Sequence, residues 1–485
     1  MANKPSLYWY DYETFGINPR QDRIAQFAGI RTDEDLNIIS EPLNIYCKAA
    51  DDFLPNPEAC LITGITPQHT IEAGILESEF IAAINSEFST PQTCVTGFNN
   101  IRFDDEFTRY ALYRNFFDAY AREWQNGCSR WDIIDLVRVT RALRPEGIEW
   151  PLTEEGVATN RLELITRANG IAHEAAHDAM SDVYATIAVA KLIREKQPRL
   201  YEYVYGNKQK NKVSQLLNVL NPQPVLHTSG MYPGEVCNTA MVIPLAPHPT
   251  NKNGIIIYDL RYDPQPLIEL DSDTIKQRLY TPRAELAEGV ERIPLKTIHI
   301  NKCPVVVPLS TLDDASAQRI GIDRTLHQQH FDTLSKAAAG LTKKIQAIFK
   351  DSDFEPTTDP DQALYSGGFF SDSDRAHMQT IREMPVNELA SLELNFKDKR
   401  LDEMLLRYRA RNYPATLNQE ENLAWQAYRK HRLLDENGGG SMTLDAYMNK
   451  LDELSNNSEL TESKKQLLNA LRDYGNRIKA SLTSS

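Results

Sequence analysis

Apolar and aromatic residues of high β propensity fill Leu7 to Tyr10, and Asp11-Tyr12-Glu13-Thr14-Phe15-Gly16 follows directly, so the chain is expected to open on a strand ended by a glycine. Residues 22–32 and 36–47 read as a second and a third strand, and 93–98 as a short buried one before the turn-prone Asn99-Asn100. Helical spacing marks 81–88, 104–117, 131–142 and 178–194, with Pro55 and Pro57 breaking the chain ahead of the first. Strands followed by strands mixed with helices predict an α/β domain over residues 1–195. Pro198 and a Lys/Asn/Gln-rich patch at 207–212 mark a boundary. Beyond it, short strands at 239–244, 254–260 and 296–308, punctuated by Pro and Gly, predict a small barrel-like β domain over 196–350, with helical spacing again at 324–349. Residues 351–375, rich in Asp, Pro, Ser and Gly, read as a linker. Helical segments at 385–412, 418–434 and 461–481 predict a helical C-terminal domain over 376–485, with Gly438-Gly439-Gly440 between the last two.

A length of 485 residues fits this division into several cores. No early segment has the layout of a signal peptide and no apolar run reaches the roughly 20 residues that span a bilayer, so a cytoplasmic protein without a membrane segment is expected. Six scattered cysteines without a Cys-x-x-Cys pair point to buried thiols, not to a zinc site or a disulfide framework. The net charge of −14 argues against a nucleic-acid partner at first sight, but residues 201–350 hold 17 basic against 14 acidic side chains. Net charge therefore decides nothing.

Alternate residues of a strand point to one face, which aims the carboxylates of Asp11 and Glu13 the same way. Such a pair either brackets a hard divalent cation or is solvated at an exposed strand end. A second acidic group, Asp104-Asp105-Glu106, lies where a strand gives way to a helix, a place that capping and the helix dipole favour without any ligand. In a third cluster His177 and Asp182 are five residues apart, about 140° around an ideal helix, so His177 is expected in the preceding loop or first turn and Asp182 on the helix. In the C-terminal helix Arg400, Arg407 and Arg411 form a stripe that is either a solvated salt-bridged face or a wall of a nucleic-acid groove.

Taken together, an Asp-x-Glu strand, an Asp after a short strand some ninety residues on and a His-x4-Asp before the domain's last helix resemble the three motifs of the DnaQ-like exonuclease superfamily, in its histidine-containing branch. Asp11-Tyr12-Glu13-Thr14-Phe15-Gly16, the run from Phe98 to Glu106, Leu143-Arg144-Pro145-Glu146-Gly147, the run from His177 to Val183, His299-Ile300-Asn301-Lys302-Cys303-Pro304 and Gly368-Phe369-Phe370-Ser371-Asp372 are similar to the bacterial exonuclease I family over nearly the full length. The resemblance implies an RNase H-like exonuclease domain, with Asp11, Glu13, Asp104 and Asp182 holding two Mg²⁺ ions (Mn²⁺ as a substitute) and His177 as general base. Asp105 is the rival of Asp104, and spacing within the family favours Asp104. The resemblance further implies processive, 3′→5′ release of 5′-mononucleotides from single-stranded DNA in repair and recombination. Glu13, Arg109, Tyr120, Trp124, Arg138 and Arg161, and more weakly Lys302, match substrate contacts. Arg144 and Tyr203 match contacts to the acidic tail of single-stranded-DNA-binding protein, and a monomer is expected. An RNA-trimming enzyme with the same acids and a non-catalytic nucleic-acid-binding scaffold are the rival readings.

Overall fold

A computed structural model describes residues 4–173, 178–350 and 357–483, without the side chains of 338 and 339. The chain divides into two compact units: one of 1–129, 174–184 and 355–485, the other of 130–173 and 185–354.

In the first unit β1 (Ser6–Thr14) runs beside β2 (Ile24–Thr32), which is flanked by β3 (Leu43–Tyr46), and beside β4 (Thr93–Gly97). The β1–β2 and β2–β3 pairs are antiparallel, whereas β1–β4 is parallel. Alternation along β1 sorts its side chains. Tyr8, Tyr10 and Tyr12 join Phe27, Phe80, Phe88 and Phe107 in one aromatic core, which leaves Asp11 and Glu13 to the opposite face. The β1–β2 register shifts between Glu13 and Thr14. A second core of the same unit buries Phe15, Phe53 and Leu54 against Leu433, Leu444, Tyr447, Leu468 and Tyr474 of the C-terminal helices.

The second unit holds an antiparallel sheet in the order β10-β6-β7-β8-β9, formed by β6 (Val225–Thr228), β7 (Thr239–Pro247), β8 (Gly254–Asp259), β9 (Leu295–His299) and β10 (Val305–Pro308). The long Arg324–Ile348 helix, started by the Asp323 carboxylate on the Thr325 and Leu326 amides, belongs to the same unit. Strand β5 (Ser129–Asp132) stands at the border of the two units.

Several expectations are corrected. Trp131, expected on a helix, lies in β5, and the helix runs Ile133–Leu143 because Asp132 caps the Ile134 amide. Pro57 does not merely break the chain: it occupies the first turn of a short helix, Pro57–Thr63, where a missing N–H costs nothing, and Pro67 opens a further short helix, Pro67–Ala73, in the same way. Of the expected strand 36–47 only Leu43–Tyr46 pairs regularly, since Leu36 sits at φ 66° in a turn. The boundary patch at 196–212 is largely helical, in Pro198–Gly206 and Lys210–Leu216. The described part of the linker is structured: Asp361 is buried, and a Ser371-capped helix covers Asp372–Glu383. Within 385–412 the α-helix begins only at Arg400, after the 3₁₀ segment Val386–Ser391, and a further helix, Leu444–Ser455, comes after the triple glycine.

Candidate active site

Asp11 and Glu13 project from β1, and Asp182 comes from the first turn of the Ala179–Lys196 helix. Each of the three offers a carboxylate oxygen, and these oxygens all lie within 4.8 Å of one another. Asp178 fixes the start of that helix: its side chain accepts the Ser181 amide at 3.0 Å and its carbonyl the Asp182 amide at 3.0 Å. Asp104 opens the Asp104–Arg114 helix and is 3% exposed.

Like charges this close disfavour ionisation. Burial raises Asp11 well above the usual carboxylate range, and Asp104, Asp182 and Asp178 add to it in that order. Burial, then Asp11, Asp182 and Asp178, push Glu13 up to about 9. Hard oxygen donors in a concentrated negative field suit an oxophilic divalent cation such as Mg²⁺ or Mn²⁺ and lack the thiolates that a softer metal prefers. Asp178 was missed in the sequence because a helix-capping Asp has an ordinary structural explanation. His177 lies outside the described residues.

Asp104 and Asp105 have different surroundings. Asp105 is fully buried and turns into the core, where its carboxylate accepts from Arg122 at 2.6 Å and from the Tyr10 hydroxyl at 2.9 Å. Asp104 is the neighbour whose charge acts most strongly on Asp11.

The same unit carries Arg109, Tyr120 and Trp124. Arg109 is buried and bonded to Glu106 at 2.7 Å, to both oxygens of Glu123 at 2.7 and 3.0 Å and to the Tyr365 hydroxyl at 3.0 Å, not to Asp105. Its guanidinium also faces the Tyr120 ring, 5.4 Å from the centroid. Around that ring stand Tyr365 and Phe369, at 6.5 and 6.4 Å, and Phe369 and Trp124 are 90% and 66% exposed. The Gly367-Gly368 turn behind Phe369 is held by Arg400, which donates to both glycine carbonyls and lies over the Phe370 ring. The sequence offered Phe369 only within a family motif, because one exposed Phe is ordinary by itself.

Arg407 and Arg411 keep the salt bridges of the first reading of the arginine stripe but not its solvation: Arg411 bonds Asp52 at 2.8 Å and Asp361 at 2.6 Å, and Arg407 bonds Asp359 at 2.6 Å, with both side chains buried. Asp52 and Asp361 are buried with them, and Asp359 is partly buried.

In the second unit Arg138 is partly buried beside Gly230 and paired with Asp135 at 2.7 Å, whereas Arg161 and Lys302 are exposed. Arg144 bonds the Thr311 carbonyl at 2.9 Å and pairs with Asp313 at 3.2 Å. Tyr203 is partly buried, in a crevice with Lys208, Cys303 and Pro304. The six cysteines are free thiols, and no helix among the described residues is long and apolar enough to cross a membrane.

Carboxylates gathered at the end of a central strand, with a fourth at a helix start, define an exonuclease of the divalent-metal type, and the model of that domain, described as "Exonuclease", matches residues 8–190. Two further models match the rest: "Exonuclease I SH3-like domain" over 208–351 and "Exonuclease I C-terminal domain" over 358–478. Exodeoxyribonuclease I of Escherichia coli is 46% identical over 476 residues, covering 98% of each chain. Among solved structures, exonuclease I of Methylocaldum szegediense superposes with a TM-score of 0.93 at 51% identity, covering 98% of this chain and 99% of that one. E. coli exonuclease I in complex with a dA16 oligonucleotide gives 0.94 at 45%, covering 98% and 100%. The chain belongs to the exonuclease I family, with an exonuclease domain, an SH3-like domain and a helical C-terminal domain in that order. Another solved form of the E. coli protein contains a zinc ion with single-stranded DNA, and a further exonuclease I structure contains SSB and an inhibitor.

Proposed function

We propose that this chain is a Mg²⁺-dependent enzyme that degrades single-stranded DNA processively from the 3′ end to 5′-mononucleotides, as a cytoplasmic monomer in repair and recombination. The observation that carries the reading is the convergence of the Asp11, Glu13 and Asp182 oxygens within 4.8 Å in a chain related to exonuclease I from end to end. In this reading Asp11, Glu13, Asp104 and Asp182 would hold two divalent ions, which when bound would acidify an attacking water and neutralise charge on the scissile phosphate. His177 would take the proton from the attacking water, a task suited to a side chain that ordinarily titrates near 6.5. Asp178 sets the direction of the Asp182 helix.

Tyr120, Trp124 and Phe369 offer π faces to bases, which binds single strands with little regard to sequence. Arg109, engaged by Glu106 and Glu123, serves chiefly to orient Tyr120 and Tyr365. Arg138, Arg161 and Lys302 supply phosphate contacts, and Arg144 and Tyr203 receive the acidic tail of single-stranded-DNA-binding protein. The domain edges near 195 and 350 fall close to those of the matching family models.

The test is digestion of 5′-labelled single-stranded DNA, with duplex and RNA controls, in Mg²⁺ and in EDTA. Shortening from the 3′ end, confined to single-stranded DNA and abolished by EDTA and by Asp182→Ala, is the expected result. Preference for RNA would overturn the substrate assignment, and firm binding without cleavage would favour the scaffold.

A further inference from the structure

The end of β1 that carries Glu13 is seated by groups from the far end of the chain. The β1–β2 register shifts just after Glu13, so the regular ladder does not by itself fix Phe15 and Gly16. Two backbone bonds take over: the Phe15 amide donates to the Arg23 carbonyl at 2.9 Å, and the Asn56 amide donates to the Phe15 carbonyl at 2.7 Å. Phe15 itself is 1% exposed and buried among Phe53, Leu433, Leu444 and Tyr447. At Gly16 the space a Cβ would take is filled by the Asp22 carboxylate, 2.2 Å from that position.

The segments flanking this turn are gripped by arginines of the C-terminal domain. Arg432, 1% exposed in its side chain, donates through Nε to the Asp52 carbonyl at 2.9 Å, through Nη1 to the Gly439 carbonyl at 3.0 Å and through Nη2 to the Gln21 carbonyl at 3.3 Å. Gln21 reaches back to the same Gly439 carbonyl at 3.3 Å. Arg411 holds the Asp52 carboxylate, 359 positions away in sequence, at 2.8 Å. One side chain thus ties three backbone segments together: 21–23, which receives the Phe15 amide, 51–53, which packs Phe53 on Phe15, and the glycine turn. A metal ligand tolerates displacements of only about 0.5 Å before its geometry is lost, and Glu13 is two residues from the anchored Phe15.

We propose that Arg432 is a positioning residue of the metal site: through the Gln21, Asp52 and Gly439 carbonyls it seats the Phe15 turn and thereby the Glu13 carboxylate. The C-terminal domain is then part of the catalytic core and not only an accessory to strand binding. The inference rests on the metal reading of Asp11, Glu13 and Asp182.

The experiment compares the full-length protein with Arg432→Met and Arg432→Lys. Mn²⁺ binding is followed by electron paramagnetic resonance without substrate, beside turnover of the p-nitrophenyl ester of thymidine 5′-monophosphate and binding of single-stranded DNA in EDTA. Arg432→Met is expected to weaken Mn²⁺ binding by roughly 10-fold, the lower end of the loss seen when supports of metal ligands are removed, with turnover falling alongside. DNA affinity is expected to stay within about twofold, because Arg432 touches none of Tyr120, Trp124 and Phe369 and reaches their segment only through a 3.5 Å contact with Asp359. Arg432→Lys keeps the charge but cannot span three carbonyls, so it falls between wild type and Arg432→Met. Should the Met variant fail to fold, Lys against wild type decides, with at least about a twofold loss of Mn²⁺ affinity required. Unchanged Mn²⁺ affinity in a folded variant, even one that melts earlier, overturns the proposal, as does loss of DNA affinity alone. A wild type that binds Mn²⁺ without cleaving DNA would refute the function but leave this comparison valid; one that binds no Mn²⁺ removes its basis.

Discussion

Two adjacent carboxylates, Asp104 and Asp105, are expected to fail in opposite ways. Asp105→Asn removes the charge that meets Arg122 at 2.6 Å in a fully buried setting, with Arg122 also 5.1 Å from the Phe88 ring centroid. Opposite charges with centres about 4 Å apart at an effective dielectric near 20 attract by about 4 kcal/mol. That agrees with the roughly 3–5 kcal/mol lost when one partner of a buried pair is removed. For a unit of this size the melting temperature should fall by roughly 5–15 °C. Asp104→Asn instead removes one of the like charges pressing on Asp11, so in EDTA the melting temperature should hold or rise. Its turnover should drop by at least about 100-fold, or about 2.7 kcal/mol in the barrier. Calorimetry in EDTA and single-turnover digestion in Mg²⁺, run on both variants, give the answer. An Asp105→Asn protein that melts with the wild type, or an Asp104→Asn protein that is destabilised yet active, would refute the division of roles.

Because Glu13 binds its proton far more tightly when folded than its ordinary value of 4.5, the metal-free protein should lose stability as pH rises from about 5 toward 9, at about 1.4 kcal/mol per pH unit for each extra proton held. Urea midpoints in EDTA should show the fall, Glu13→Gln should flatten it, and an equal slope in both proteins would count against it. Asp52 and Asp361 behave the other way: burial alone would raise them, but Arg411 first, with Arg23 and Arg432 on Asp52 and Arg407 on Asp361, holds both well below the usual range. Their contribution should be complete above about pH 4 and lost as pH falls further, so Asp361→Asn should be less stable than wild type at neutral pH and converge with it in acid. Trp124→Ala and Phe369→Ala should each weaken single-stranded DNA binding by about 1–3 kcal/mol in a filter or anisotropy assay without moving the melting temperature; unchanged affinity would exclude that ring from the platform.

The elements that were legible in the sequence are those whose pattern is local. Strand β1 follows from its aromatic alternation, and Asp11 and Glu13 share a face because a strand repeats every two residues. The Gln419–Leu434 helix was foreseeable from spacing, and the capping box of Asn418 and Glu421 sharpens its start. What periodicity could not show was the partner of each charge. Arg407 and Arg411 lie on a helix as any solvated stripe would; only the fold brings the buried Asp52 and Asp361 and the partly buried Asp359 to them. Asp104 and Asp105 are indistinguishable by composition, and a single rotation of about 100° along the helix separates their environments. Short helices such as Pro57–Thr63 were hidden because a proline at the first turn and a proline that ends a segment look alike in sequence.

The first compact unit is assembled from stretches 1–129, 174–184 and 355–485, which gives its formation an order in time. A ribosome adding about 5–20 residues per second needs roughly 20–70 s to pass from Asp52 to Arg411. Until then Phe15 lacks the apolar cover of Leu433 and Tyr447, and of its guanidinium partners Asp52 has Arg23 but neither Arg411 nor Arg432. The acids of β1 are thus made early and seated late. A chain interrupted during synthesis would carry every ligand of the opening strand and still lack the seat for them, so competence would be acquired only when the last helices emerge.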